Sequence, residues 1–553
     1  MKVAAVAVVA IAIGLSACNS TPQASGKGTA ASQVTLTMAA ADGENWPCSF
    51  NPFNPNTYFF SLGMVNEELY YVDSISGKMT PWLATAYQWS NGDKTLTWTI
   101  RKGVKWSNGQ PLTAADVAFT FNLIKKNPDL DLNSIDPLLQ SVTQTGADTV
   151  QMNFTAPAVT VFYYIADQVS IVPQSAWKSV SNPLTYQDKQ PIGTGPYTVG
   201  SCTPQNISYV KNPNYWQPGL PKIAKVEVPA ILTNTVANED LANGTAQWGG
   251  QYIPNIKTFY LARNPKNQDW SPPVGVNGIY VNMKAGLLSN VAVRQAIAYG
   301  IDRAKVTQFA EDGEVPVANQ AGVLLPAQNA WYNSTLAATY NYGYDPAKAI
   351  SILEKAGFKR GQGGIFQNAA GQKLAFTIMD TGAYSDQVAG DQIIVQEMAQ
   401  IGIKLTQENL SGTTASADKA DGKFDLAAGG PPQISVDGPY GILRGLLYSP
   451  NSAPIGKPAS SDYERYSSPA EDALFNELSV TTDVTKQEQI VKQLEAPMLQ
   501  EVPFIPIEDA VAQNEDNSGF ATGWPSPANP YANPSPTTQP DEAVVLLHLI
   551  PVS

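Results

Sequence analysis

Between Thr95 and Ile124 the hydrophobic period changes from two residues to about 3.6, and that switch narrows the open folds more than any other feature. Thr95-Leu96-Thr97-Trp98-Thr99-Ile100 alternates strictly. Leu96, Trp98 and Ile100 therefore share one face and the threonines the other, the pattern of a half-buried strand. Ser107-Asn108-Gly109 reads as a turn. Thr113 and Asp116 then form a capping-box start, and Val117, Phe121 and Ile124 recur on one helical face. The same devices return downstream. Asp345-Pro346 and Ser468-Pro469 open helices with proline at the first helical position. Ser289 or Asn290 opens another carrying Val293, Ile297 and Ile301, and Gln487 to Leu499 is helical with a proline inside. Strand-like segments lie at Gln33 to Met38, Thr149 to Phe154, Ile207 to Lys211, Ile223 to Val228, Leu374 to Met379 and Ile403 to Glu408. This irregular alternation predicts α/β or α+β lobes, not an all-β sandwich. The Pro-rich stretch from Trp524 to Pro540 reads as loop, and Val544 to Leu549, which holds His548, as a terminal strand.

At 553 residues and 43% hydrophobic content the chain can bury the cores of two or three domains. Its net charge of -13 and the lack of a basic, aromatic-interleaved stretch argue against nucleic acid as a partner. His548 is the one histidine, so a histidine-based zinc site or a Ser-His-Asp triad has almost nothing to draw on. No Gly-x-Ser-x-Gly elbow or phosphate-cradling loop is present. Asp129-x-Asp131-x-Asn133 lacks the glycine and the final glutamate of a calcium loop and reads as a solvated turn. No cofactor or metal is expected.

The N-terminus carries Lys2 and a short apolar segment from Val3 to Gly14, shorter than the ~20 residues of a membrane-spanning helix and of secretory character. Leu15-Ser16-Ala17-Cys18 resembles the lipobox of bacterial lipoproteins. That resemblance implies removal of the signal, lipid on Cys18, and a tether (residues 19–32, rich in Ser, Thr, Ala and Gly) on the outer face of a bacterial cytoplasmic membrane. Cys48 and Cys202 remain, an even pair in an oxidising compartment. A disulfide and two separate buried thiols are both open at this stage.

Several ordered blocks resemble one known family. They are Asn51-Pro52-Phe53, Pro81-Trp82-Leu83-Ala84, Ile100 to Val117, Gly193-Thr194-Gly195-Pro196-Tyr197, Val293-Arg294-Gln295-Ala296-Ile297 with Ile301-Asp302-Arg303, and Val502-Pro503-Phe504-Ile505-Pro506. The chain is similar to the extracellular solute-binding proteins, family 5, of oligopeptide and dipeptide ABC importers. The resemblance implies a two-lobed α/β fold of the periplasmic-binding-protein type that closes on its ligand by a hinge. Lobe one would hold residues 33–72, 189–280 and 504–553, with a subdomain at 73–188, and lobe two residues 281–503. It implies a monomer that is no enzyme and hands its solute to permease subunits. A secreted hydrolase using paired carboxylates is the reading these blocks argue against.

The ligand class stays divided. Peptide-binding members hold the peptide amino group with an Asp after a motif like Asp425-Leu426-Ala427-Ala428-Gly429-Gly430, yet Gln433-Ile434 stands where that acid is expected, and Asp437 serves only with a shifted loop. Gln247 to Asn255 and Gly438-Pro439-Tyr440 resemble a branch that includes binders of β-linked oligosaccharides. Sugar rings stack on aromatic faces, so Trp46, Trp248, Tyr252, Trp270 and Tyr440, with Asn255, are the candidate contacts for an oligosaccharide, and Asp437 for a peptide.

Overall fold

The computed structural model describes residues 34–39, 45–54, 61–133, 135, 137–326, 328–431 and 438–552. Cys18, the signal and tether segments, Gln433-Ile434 and Asp437 lie outside the described residues.

Three main sheets organise the chain. The first has seven strands in the order Asn267–Asp269, Glu515–Asn517, Trp248–Gly249, Thr35–Ala39, Lys225–Pro229, Asn206–Lys211 and Tyr197–Thr203. The second is antiparallel and four-stranded, in the order Ala84–Ser90, Thr95–Ile100, Thr149–Phe154, Leu139–Gln144. Leu96, Trp98 and Ile100 point from it into the core, as the alternation requires. Helix Ala114–Lys126 covers that face with Val117, Phe121 and Ile124 buried. Its start is fixed locally. Both the backbone N–H and the hydroxyl of Thr113 donate to Oδ2 of Asp116 at 2.9 Å. The other carboxylate oxygen accepts from the N–H of Gln174 at 3.0 Å, so the cap also docks the next segment. These two sheets share one continuous hydrophobic core.

The third sheet has five strands, in the order Lys404–Leu410, Ala375–Thr381, Leu426–Gly429, Pro273–Val281, Phe504–Val511. Successive residues of its strands alternate between two cores, as the pleat dictates. Ile279, Ile378 and Leu426 face helices Val291–Gly300, Pro346–Lys355 and Ser385–Gln400. Tyr280, Met379 and Ala427 face helices Tyr440–Leu447, Pro469–Ser479 and Val484–Gln500. The sheet is thus covered on both faces, forming the second lobe.

Two family blocks have structural causes. A Cβ on Gly193 would lie 1.7 Å from the carbonyl oxygen of Val65, and one on Gly195 2.3 Å from that of Met64, so only glycine lets these backbones touch. Buried Arg303 donates from Nε to the Pro506 carbonyl at 2.7 Å and from Nη1 to those of Ala298 at 3.1 Å and Tyr342 at 2.9 Å. Arg294 likewise reaches the carbonyls of Glu501 and Leu288. Both arginines fasten helices to the strand that leaves the second lobe.

Two expectations need correction. Strands Pro273–Val281 and Phe504–Val511 pair along their length within the third sheet, so the chain crosses between lobes near residues 270–272 and 512–514, not at 280 and 504. His548 ends a helix, Asp541–His548, rather than sitting in a strand. Residues 541–547 are buried all round, so their pattern carries no period that would separate helix from strand.

Candidate functional site: the cleft between the lobes

The two crossing segments lie side by side. The N–H of Ala512 donates to the Pro272 carbonyl at 2.8 Å, and that of Asn514 to the Ser271 hydroxyl at 3.2 Å. A pair of short connections of this kind is a hinge. The lobes meet across the cleft they leave. Asn234, first residue of helix Asn234–Ala242 in lobe one, donates from Nδ2 to Oδ1 of Asp386 at 3.0 Å. The Tyr252 hydroxyl and the backbone N–H of Asn255 both donate to Oδ2 of Asp312, at 2.9 and 2.6 Å. Lys257 pairs with Glu314 at 2.8 Å. These bonds join residues 234–257 to residues 311–386 and describe a closed arrangement.

Behind that contact, in the wall of lobe two, lies a cavity of about 50 Å³ lined by Asn277, Glu311, Asp386, Asp391, Gly429 and Glu508, among others. Strand Leu426–Gly429, the Asp-Leu-Ala motif of the sequence, ends at this cavity. Burial pushes Glu311 up to about 10, with Glu508 and Asp386 adding to it. Burial, then Asp386, pushes Glu508 up to about 7. Asp386 is raised chiefly by burial, and Asp391 is raised well above the usual range by burial and by Asp380. Each carboxyl resists ionising because it is buried and its neighbours are of like charge. Asp380, held up at about 7 by burial, faces the cation Lys419, whose ammonium lies 5.3 Å from the centre of the Tyr280 ring.

The aromatic candidates divide. Trp248 is 0% exposed, and its indole N–H bonds Asn514 Oδ1 at 3.0 Å and the Pro534 carbonyl at 2.9 Å. Trp46 is 4% exposed and donates to the Val228 carbonyl at 2.8 Å. Tyr440 is buried and packs against Phe475. These three are core residues, because each ring fills a packed interior and both indole donors are already satisfied. Trp270 is half-buried on the crossing segment, and Tyr252 and Asn255 reach the cleft, where they bond Asp312. The sequence reading missed Asn234, Glu311, Asp312, Asp386, Asp391 and Glu508. One signal was available: Glu508-Asp509 interrupts the otherwise apolar strand Phe504–Val511.

Cys48 and Cys202 are joined by a disulfide, which ties the segment around Trp46 to the first sheet. Among the described residues no group of three or more His, Cys, Asp and Glu is placed to hold a metal ion, and no helix is long and apolar enough to cross a membrane.

Comparison with known proteins agrees with this architecture. The chain is 27% identical over 488 residues to the nickel-binding periplasmic protein of Escherichia coli, covering 84% of this chain and 87% of that one. It superposes with a TM-score of 0.88 and 27% identity on a mannohexaose-bound periplasmic oligopeptide-binding protein of an ABC transporter from Thermotoga maritima, covering 94% of this chain and 99% of the other. The oligopeptide-binding protein AppA of Bacillus subtilis, in complex with a nonapeptide, shares the fold at 19% identity with a TM-score of 0.79, over 94% and 99% of the two chains. These relatives are binding proteins, not enzymes. The sequence profile "Bacterial extracellular solute-binding proteins, family 5 Middle" matches residues 78–453, and with two lobes hinged over a cleft the chain belongs to the extracellular solute-binding proteins of family 5.

Proposed function

We propose that this protein captures oligopeptides outside the cytoplasm and delivers them to an ABC permease, tethered by lipid on Cys18. The observation that carries the peptide reading is the chemistry of the lobe-two wall. It offers carboxyl groups and strand ends, which suit the amino and amide donors of a peptide. The two tryptophans best suited to stack on sugar rings are instead packed in the core. Ligand favours the closed state because only there do both lobes contact it, and the closed state is what a permease would distinguish.

A second reading, β-linked oligosaccharide capture, is favoured by the mannohexaose bound to the Thermotoga maritima protein and by half-buried Trp270 and Tyr252 at the cleft. The test is a thermal-shift series on the chain lacking residues 1–18, with tri- to pentapeptides and with cello- and manno-oligosaccharides. A ligand at one hundred times its Kd stabilises the folded state by about 2.7 kcal/mol. Shifts with peptides alone are expected; shifts with sugars alone would replace the peptide reading by the second.

A further inference from the structure

We propose that the carboxyl-lined cavity in lobe two is a subsite for a cationic group of the captured solute, a primary ammonium or guanidinium on an aliphatic stem. It deepens the capture role above, and its test is arranged to fail separately.

The argument rests on the polar atoms left without partners. Glu311 Oε2 and Asp391 Oδ2, both in the cavity lining, are buried and make no hydrogen bond with any described residue, and neither does Oδ1 of Asn234, which meets Asp386 from lobe one outside that lining. Their residues are 4%, 3% and 2% exposed. Asn234 Oδ1 is an acceptor, and the two carboxyl oxygens become acceptors once a neighbouring cation holds their groups ionised. Asn234 cannot reverse its amide to help, because its Nδ2 already donates to Asp386. The side-chain amides lining the cavity are those of Asn277 and Gln387, and Asn277 is engaged with Glu508. Buried acceptors without donors are costly, so the group that belongs here brings several N–H donors and no acceptor. Ammonium supplies three and guanidinium five.

Shape and charge agree. Val306, Ala310 and Ile394 line the same cavity and offer an apolar side to a methylene stem. A volume of about 50 Å³ holds roughly three to five waters' worth of atoms, the size of a charged head and part of its stem. Glu311, Asp386, Asp391 and Glu508 make no ion pair with any described residue. The charges around them are Asp312, Asp380 and Asp509, all acidic, and Lys419, which faces Asp380. Among the described residues no group of three or more of these acids is placed to hold a metal ion.

The test compares Gly-Lys-Gly with Gly-norleucine-Gly, and agmatine alone, by calorimetry on the full extracytoplasmic chain. Asp391→Asn and, independently, Glu508→Gln provide near-isosteric variants should one fail to fold. Lysine peptide is expected to bind about tenfold to a hundredfold more tightly than norleucine peptide. Agmatine should bind by itself, and both variants should remove agmatine binding and the preference for the lysine peptide. If neither peptide binds but agmatine does, the peptide reading falls and the cation subsite stands. Equal affinities for the two peptides, or no agmatine binding to the unaltered protein, would overturn the subsite.

Discussion

Replacing Asp312 with glycine should weaken ligand binding about fivefold to thirtyfold without loosening either lobe. Asp312 sits at φ +50°, in the left-handed region, so alanine would add backbone strain that glycine does not. The carboxylate accepts two bonds from lobe one, the Tyr252 hydroxyl and the Asn255 N–H. Both lie at the rim in contact with water, so each contributes about 0.5–1 kcal/mol after screening. Together they favour closure by about 1–2 kcal/mol, which at 1.4 kcal/mol per decade is the stated range. Apparent affinity falls in proportion to the closed population.

Titration calorimetry on the wild type, Asp312→Gly, Tyr252→Phe and the double variant reads this directly. Tyr252→Phe removes one of the two bonds and should cost about threefold. The double variant should be no worse than Asp312→Gly, since the two residues share one interaction. The ligand-free melting temperature should change little, because the open state lacks these bonds. Wild-type affinity in Asp312→Gly would refute the latch. A large fall in ligand-free stability would show that Asp312 instead supports the fold of lobe two.

Buried Glu67, Asp516 and Asp541 are each pushed up to about 7, chiefly by burial. A carboxyl raised in the folded state stabilises below its unfolded pKa, and that contribution is lost as pH rises through about 7. Melting temperature should therefore fall between pH 5 and pH 8, and Glu67→Gln should flatten the slope by an amount on the order of 3 kcal/mol. The Cys48–Cys202 bridge joins residues 154 apart, so Cys202→Ser should reduce stability by up to about 5 kcal/mol in the chain-entropy picture, read from urea unfolding. Gly193→Ala should fail to yield stable protein, judged by soluble expression and circular dichroism, because its Cβ would overlap the Val65 carbonyl. At pH 7 a cationic ligand should displace a proton from the Glu311–Glu508 cluster, measurable as a dependence of the calorimetric enthalpy on the buffer's ionisation heat.

Local chemistry made the helix starts legible. Asp345 accepts from the Lys348 N–H and Asn290 from that of Ala292, each within three residues. The family blocks were legible for the same reason, since Gly193 and Arg303 hold backbone geometry that few other residues can. The hinge was not legible. Pro273–Val281 and Phe504–Val511 find each other across more than two hundred residues, and their pairing displaced the expected crossing points by several residues. Tryptophan type misled the site reading because an indole suits a sugar face and a packed core equally well. Only the partner of its N–H decides, and Asn514 is 266 residues from Trp248. The cleft acids come from three places far apart in sequence, the pair Glu311-Asp312, helix Ser385–Gln400 and strand Phe504–Val511, so no spacing between those groups announces them.

Closure of this cleft carries two opposing terms. The Asp312 bonds, with a small contribution from the exposed Lys257–Glu314 pair, draw the lobes together. The same movement brings Asn234 onto Asp386 and covers acceptors that then lack donors, which opposes it. A solute that brings donors to Asp391 and Glu311 removes the opposing term and leaves the latch unopposed. Selectivity then follows from closure itself. A neutral solute of the same shape occupies the cleft but leaves the buried acceptors unpaired, and so shifts the lobes less.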